Sequence, residues 1–153
     1  MSILIVDDTA SQRFLLSSIL KAAGYTNLLT AASAPEAFER LGMNDPGSVS
    51  CDVDLILMDI SMPDLNGIEA TREIRRESPD VKVIGLSMHS AKRYVMEMFK
   101  AGAVGYLLKD CDFDELARAI RAVAGGKTYV SPSISNVVME DLAMQRTELT
   151  QQP

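Results

Sequence analysis

Three aspartates and one lysine stand at the ends of apolar runs in this sequence. Ile3-Leu4-Ile5-Val6 runs into Asp7-Asp8, Leu55-Ile56-Leu57-Met58 into Asp59, and residues 104–108 into Lys109. Two carboxylates about 4 Å apart repel by roughly 4 kcal/mol at an effective dielectric near 20. If the four groups converge, three negative charges face one positive charge. The deficit calls for a divalent cation or for raised carboxylate pKa values. Oxygen-only ligands with a solvent-facing position suit Mg²⁺, which keeps waters and shares itself with phosphate. A cation and a lysine around an accessible aspartate make an electrostatic clamp for phosphoryl transfer to that aspartate.

Convergence requires a particular fold. Apolar runs of this length, separated by helical stretches, read as buried parallel strands. Parallel strands deliver their C-terminal ends to one edge, where open α/β sheets bind ligands. The order predicts five strand–helix units. Strands are expected near residues 2–7, 27–31, 54–59, 81–87 and 104–108. Helices are expected over 9–23, stopped at Gly24; from a Ser33/Glu36 capping box to about Leu41; over 68–77; over 90–101, stopped at Gly102; and from Asp112 and Glu115 to Gly125-Gly126. In the first helix Leu16, Ile19, Leu20 and Ala23 share a face. Residues 42–54 are turn-rich and read as an extended surface loop. The alternation predicts a parallel sheet with helices on both faces.

One segment is left over. Ser131-Pro132 reads as a helix start, and Ile134, Val137, Val138 and Leu142 then share one face over residues 132–145. This amphipathic helix has no sheet position to fill, so it should pack on a partner, on the domain surface or on a downstream domain. Residues 148–153 lack periodicity and read as a frayed tail.

The bulk numbers bound the function. At 153 residues the chain is one domain with a short extension, and 47% hydrophobic content is enough for a core. A net charge of −6 argues against direct nucleic-acid binding by this segment. Arg72, Arg75 and Arg76 form the one basic cluster and read as a solvated helix face. Cys51 and Cys111 have neither metal spacing nor a disulfide framework, and two thiols suit a reducing, cytoplasmic setting. No basic leader precedes the first strand and no apolar run nears 18 residues, so neither a signal peptide nor a membrane span is expected.

Five pieces, in order and at the right spacing, resemble the receiver domain of bacterial two-component response regulators. They are Ile3-Leu4-Ile5-Val6-Asp7-Asp8, Leu55-Ile56-Leu57-Met58-Asp59-Ile60-Ser61-Met62-Pro63, Asn66-Gly67-Ile68-Glu69-Ala70, Val83-Ile84-Gly85-Leu86-Ser87 and Ala101-Gly102-Ala103-Val104-Gly105-Tyr106-Leu107-Leu108-Lys109-Asp110. The resemblance covers about residues 1–126. It implies a flavodoxin-like (βα)5 sheet of strand order 2-1-3-4-5, a receiver over residues 1–127, and a linker helix and frayed tail over 128–153.

It also implies roles. Asp59 would accept the phosphoryl group. Asp8 would bind Mg²⁺ directly and Asp7 directly or through water, with Asp59 and the Ser61 backbone carbonyl as further ligands. Ser87 would hydrogen-bond the phosphoryl group, Lys109 would pair with it, and Tyr106 would move inward when Ser87 moves. The donor would be a sensor histidine kinase or phosphotransfer protein, and homodimers are a possible form. Leu86-Ser87-Met88-His89, Leu107-Leu108-Lys109-Asp110 and Tyr129-Val130-Ser131-Pro132 resemble regulators with a LuxR-type helix-turn-helix output, which opens at a pair like Leu149-Thr150. The long 42–54 loop is not typical of that subclass, and Lys109-Asp110 replaces the Lys-Pro pair common elsewhere in the family.

Plainer readings stand beside these. Asp8 could be a helix N-cap, Lys109 a surface lysine, Ser87 a turn hydroxyl and Tyr106 a half-buried structural tyrosine. His89 reads as an ordinary exposed histidine, which with Ser61 and Met88 could flank the approach of water. Met96, Met98 and Phe99 read as core or interface. Two other function classes compete with a switch. A Mg²⁺-dependent phosphohydrolase with an aspartyl nucleophile would want an acid two residues on, where Ser61 stands and cannot protonate a leaving group. A dimerisation module without phosphorylation would not need the acidic set.

Overall fold

The computed structural model describes residues 1–43, 53–61, 66–88, 92–132 and 134–135. His89, Cys51, most of the 42–54 loop, Met62-Pro63, the C-terminal helix beyond Ser135 and the tail lie outside the described residues. The element order is β1 (Ile3–Val6), α1 (Ala10–Ala22), β2 (Leu28–Ala31), α2 (Ala34–Arg40), β3 (Leu55–Asp59), α3 (Gly67–Glu77), β4 (Lys82–Ser87), α4 (Lys92–Lys100), β5 (Gly105–Leu108), α5 (Phe113–Ala124) and β6 (Tyr129–Val130). All strand pairs are parallel, and the sheet order is β2-β1-β3-β4-β5-β6.

The central strands are apolar on both faces because helices cover both. Leu4, Val6, Ile56, Met58, Val83 and Tyr106 pack with Ala37 of α2, Ile74 of α3 and Met98 of α4. Ile3, Ile5, Leu55, Leu57, Ile84 and Leu107 pack the other way, with Leu20 of α1 and Leu116 and Ile120 of α5. Alternate residues of one strand thus enter opposite cores, the period-2 rule of a pleated strand. Each fully buried aliphatic side chain contributes about 1.5–3 kcal/mol. The methionine and phenylalanine expected in a core or interface follow this plan: Met98 is buried, and Phe99 packs against the same cluster.

The helix starts are chemically marked. Ser33 Oγ accepts from Glu36 N at 3.2 Å, and Glu36 returns a carboxylate oxygen to Ala32 N at 3.0 Å rather than to Ser33 itself. Asn66 and Asp112 cap α3 and α5 by accepting from Glu69 N and Glu115 N. Gly24 and Gly102 end α1 and α4 at φ of +98° and +109°, the left-handed region that glycine enters without a Cβ penalty.

Two features depart from the sequence reading. The chain does find a sixth sheet position. After Gly125-Gly126 it turns back, and Tyr129 and Val130 pair with Gly105 and Tyr106. A two-residue strand is too short for hydrophobic periodicity to reveal. The basic cluster is also not uniformly solvated. Arg72 and Arg76 pair with Glu69 and Glu73 on the exposed face, but Arg75 donates to the carbonyls of Pro79 and Val81. Its stem lies under Gly102, where a Cβ would come within 2.7 Å of Arg75 Cγ. Arg75 therefore ties the α3–β4 turn to the end of α4.

Candidate functional site

The strand register brings the chemistry-bearing residues to one edge. Asp59 is the last residue of β3 and pairs with Leu86, one residue before Ser87. Ser87 pairs with Leu108, one residue before Lys109, and the Ser87 carbonyl accepts from Lys109 N at 2.8 Å. Asp7 follows β1 and is held by Asp7 N donating to Ala31 O. Residues more than a hundred positions apart thus meet because four neighbouring parallel strands end together.

Lys109 Nζ lies 2.9 Å from Asp59 Oδ1 and 3.3 Å from Asp7 Oδ2. The two carboxylates are 1% exposed and the lysine 13%. Asp59 Oδ1 also accepts from Ser61 N at 3.2 Å, and Asp7 Oδ1 from Thr9 N at 2.9 Å. Among the described residues, Asp59 Oδ2 is buried with no hydrogen-bond partner, and Asp7 Oδ2 has the ammonium alone, outside hydrogen-bonding geometry. Burial pushes the Asp59 carboxyl up to about 6; the Lys109 hydrogen bond opposes this and the Asp7 charge adds to it. For Lys109, burial acts downward, but the hydrogen bond and charge of Asp59, with Asp7 behind them, leave the ammonium above its usual range.

Carboxylate oxygens of Asp7, Asp8 and Asp59 lie within 4.8 Å of one another. Oxygen ligands about 2.1 Å from one Mg²⁺ lie roughly 3–4.2 Å apart, so a cation would draw the set closer together. The all-oxygen donors, the excess negative charge and the buried oxygens lacking partners all fit a hard divalent cation. Asp8 is exposed, and among the described residues its one hydrogen bond is a long one from the Thr9 hydroxyl at 3.5 Å. It is not the N-cap of α1: Thr9 holds that position, and makes no side-chain cap.

Ser87 and Tyr106 are both buried, and the Ser87 side chain lies beside the Tyr106 phenol. Burial holds the Tyr106 phenol above its ordinary pKa, with the Ser87 side chain acting the other way. Tyr106 is fully buried rather than half-buried, and already occupies the inward position that the sequence reading reserved for a moved Ser87. Gly85, its neighbour on β4, leaves room for α4: a Cβ there would lie 2.7 Å from Met98 Cε. Ser61 and Met88 are exposed at the rim. Cys111 lies beside the site in a cavity of about 60 Å³ between α1 and α5, also lined by Asp7, Lys109, Leu16 and Leu116. Burial, then the Glu115, Asp110 and Asp112 charges, push its thiol up to about 11, so it is not nucleophilic at neutral pH.

The comparisons with known proteins agree with this geometry. The profile of the response regulator receiver domain matches residues 3–121. The chain belongs to this family. It is 47% identical over 88 residues to the transcriptional regulatory protein DegU of Brevibacillus brevis, covering 58% of this chain and 37% of that protein. It is 39% identical over 97 residues to the response regulator UvrY of Escherichia coli K12, covering 63% of this chain and 44% of that protein. A two-component response regulator of the LuxR family from Aurantimonas sp. SI85-9A1 superposes with a TM-score of 0.78 at 30% identity, over 93% of this chain and 97% of that one. The chain spans less than half the length of these curated relatives. Its described helices include none long and apolar enough to cross a membrane.

Three residues of this receiver shape the site without having been singled out from sequence. Gly67 opens α3 directly behind the acceptor strand: a Cβ there would lie 2.3 Å from Asp59 O, and Gly67 N donates to Ile60 O at 2.8 Å. Thr71 Oγ1 donates to Gly67 O at 2.7 Å and fixes that approach. Arg13 Nη1 donates to Asp7 O at 2.6 Å, clamping the β1–α1 turn that carries Asp7 and Asp8. The Asn-Gly pair at 66–67 was a visible signal for the first. Nothing in the spacing pointed to the other two.

Proposed function

We propose that this receiver domain is a phosphorylation-dependent switch with Asp59 as the phosphoacceptor, and that a histidine kinase or phosphotransfer protein supplies the group. The observation carrying this reading is the pairing of Asp59 Oδ1 with Lys109 Nζ at 2.9 Å while Asp59 Oδ2 stays buried without a hydrogen-bond partner among the described residues. An Asp59 carboxylate oxygen attacks phosphorus, the phosphorus–nitrogen bond of the phosphohistidine donor breaks, and the imidazole keeps the bonding electrons and takes up a proton. Lys109 balances the charge that spreads over the phosphoryl oxygens, and the Ser87 hydroxyl turns to donate to one of them. Asp7, Asp8, Asp59 and the Ser61 backbone carbonyl would hold Mg²⁺, which supplies the remaining positive charge when bound. In this reading the receiver unit is residues 1–127, and residues 128–153 lead on toward an output of the kind that the name of the DegU relative calls transcriptional.

The protein assists its own modification and turns over no small substrate, since Ser61 offers no acid for a leaving group. A cytoplasmic location and homodimers belong to the same reading. Incubation with acetyl phosphate and Mg²⁺ should add one phosphoryl group by mass spectrometry, and Asp59→Asn should add none. Labelling that persists in Asp59→Asn overturns the assignment.

A further inference from the structure

Arg13 stands where helix electrostatics disfavour it. It is in the opening turns of α1, whose first turn holds no acidic side chain. The N-terminal end of a helix carries partial positive charge, so a cation there is unfavourable. Two carboxylates, those of Asp7 and Asp8, sit in the turn just before the helix. Arg13 nevertheless forms an ion pair with neither of them. It is half-buried, and its Nη1 donates to the main-chain carbonyl of Asp7 at 2.6 Å. A charge-assisted bond is thus spent on a neutral acceptor, and both carboxylates are left free.

The carbonyl it holds belongs to the peptide that joins Asp7 to Asp8. Asp7 itself is otherwise well fixed: its N–H donates to Ala31 O at 3.1 Å, and its Oδ1 accepts from Thr9 N at 2.9 Å. Asp8 is not. It is exposed, and the long bond from the Thr9 hydroxyl at 3.5 Å holds its side chain weakly. Yet an Asp8 carboxylate oxygen comes within 4.8 Å of those of Asp7 and Asp59. A peptide is planar, so a bond on the Asp7 carbonyl sets the plane as far as the Asp8 Cα, and with it the direction in which Asp8 leaves the backbone. We propose that Arg13 is a positioning residue for the cation site, which holds the Asp7–Asp8 peptide so that Asp8 faces Asp7 and Asp59 before any cation arrives. The inference rests on the reading of these three acids as the Mg²⁺ set. Charge and positioning have opposite signs here. A guanidinium near the site repels a cation, so its charge alone weakens binding, whereas an ordered Asp8 strengthens it. Arg75 makes the same kind of clasp on the carbonyls of Pro79 and Val81, where the turn carries no part of the acidic set.

The test uses the full chain, with Mg²⁺ alone as the probe and amide shifts of Asp59 and Ser61 as the readout. Arg13→Met keeps the stem and removes both donor and charge. Its Mg²⁺ affinity should fall by about ten-fold, the low end of what losing a partner of a metal ligand costs. Arg13→Lys keeps the charge and one donor on a shorter reach, without the planar fork, and should fall only a few-fold. In the metal-free protein the Asp8 backbone order parameter should drop in Arg13→Met from roughly 0.85 toward 0.6, while Ile5 stays unchanged. Unchanged or tighter Mg²⁺ binding in Arg13→Met overturns the proposal, because it leaves the guanidinium acting through its charge or not at all. An Asp8 that stays as ordered as in wild type overturns it too. Should Arg13→Met fail to fold, Arg13→Lys decides alone: a few-fold loss supports positioning, and wild-type affinity removes it. If wild type itself binds no Mg²⁺, the reading of the acidic set fails and takes this inference with it.

Discussion

The two halves of the sheet's C-terminal edge are built on different principles. At β1 and β3, Asp7 and Asp59 are charged, 1% exposed, and share one ammonium. At β4 and β5, Ser87 and Tyr106 are neutral, buried and adjacent. The first half holds an electrostatic cost in its resting form, because burial penalises carboxylates that only Lys109 balances. That cost is what a cation and a phosphoryl group relieve, so this half is built for capture. The second half holds a neutral hydroxyl and a buried phenol that carry no such charge cost, so it is built for response. Lys109 joins the halves: its side chain belongs to the first, and its amide donates to Ser87 O of the second.

Substitutions that remove charge from the capture half should have the largest effects. Lys109→Ala leaves two buried carboxylates without a counter-ion. Breaking such a set costs about 3–5 kcal/mol of stability near neutral pH. The loss should shrink below about pH 6, where the Asp59 carboxyl protonates. Urea denaturation at pH 8 and pH 5 measures both, and a loss equal at the two values would mean that packing of the lysine stem, not charge, is what Lys109 contributes.

The pH dependence of the unmodified protein tests the same stored cost. The Asp59 carboxyl titrates near 6 in the folded state against 3.8 as the unperturbed value, because burial opposes its ionisation. The folded state therefore binds the proton more tightly than the unfolded state. Below the lower value both are protonated and nothing is lost. As pH rises through the window from about 4 to 6, stability falls by about 3 kcal/mol, and above it the cost is fully expressed. Asp59→Asn should flatten this fall, and millimolar Mg²⁺ should reverse it. Thermal denaturation across pH 4–8 without metal decides, with a rise through that window contradicting the argument.

How much was legible in the sequence follows the same division. Asp7, Asp59 and Lys109 could be read because each ends an apolar run, and parallel strands oblige such ends to meet. Ser87 was readable for the same reason. Tyr106 was named, but its seat was not, because whether an aromatic lies inside depends on what its neighbours omit. Gly85 under Met98 and Gly67 behind Asp59 likewise act through a missing Cβ, which no periodicity records. Arg75 looked like one of three surface arginines because helical spacing shows which face a residue is on, not which carbonyls lie within reach of a long side chain. β6 escaped because two residues carry no period, and its pairing is fixed by the length of α5 and the turn at Gly125-Gly126.

Asp8→Asn separates capture from packing. Asp8 is exposed and caps no helix, so the metal-free fold should be unchanged or slightly more stable. Mg²⁺ affinity should fall by at least about ten-fold, since a hard cation loses one charged oxygen ligand. Mg²⁺ titration followed by amide shifts of Asp59 and Ser61 gives the affinity, and urea denaturation without metal gives the stability. Undiminished affinity would remove Asp8 from the metal set and leave the capture half with two acids.

The smallest effect should come from the response half, and it tests whether the two halves are separable at all. Ser87→Ala takes a hydroxyl from beside the Tyr106 phenol and from the phosphoryl site its neutral donor. The resting fold should lose about 1 kcal/mol, the ordinary net worth of one buried hydrogen bond. Labelling of Asp59 by acetyl phosphate should still go to completion, because every charge that drives capture remains. What should be lost is the transmitted change. In wild type, beryllofluoride should shift amides along β5, and in Ser87→Ala those shifts should shrink while Ser61 still reports binding. A differential affinity of about 1.5–3 kcal/mol for one hydrogen bond to a charged group sets a bias of roughly ten- to hundred-fold between the two arrangements. Removing it should return the population toward its resting value without emptying the site. Full β5 shifts in Ser87→Ala would show that capture alone moves Tyr106, through the Lys109 amide on Ser87 O, and that the edge of the sheet works as one unit.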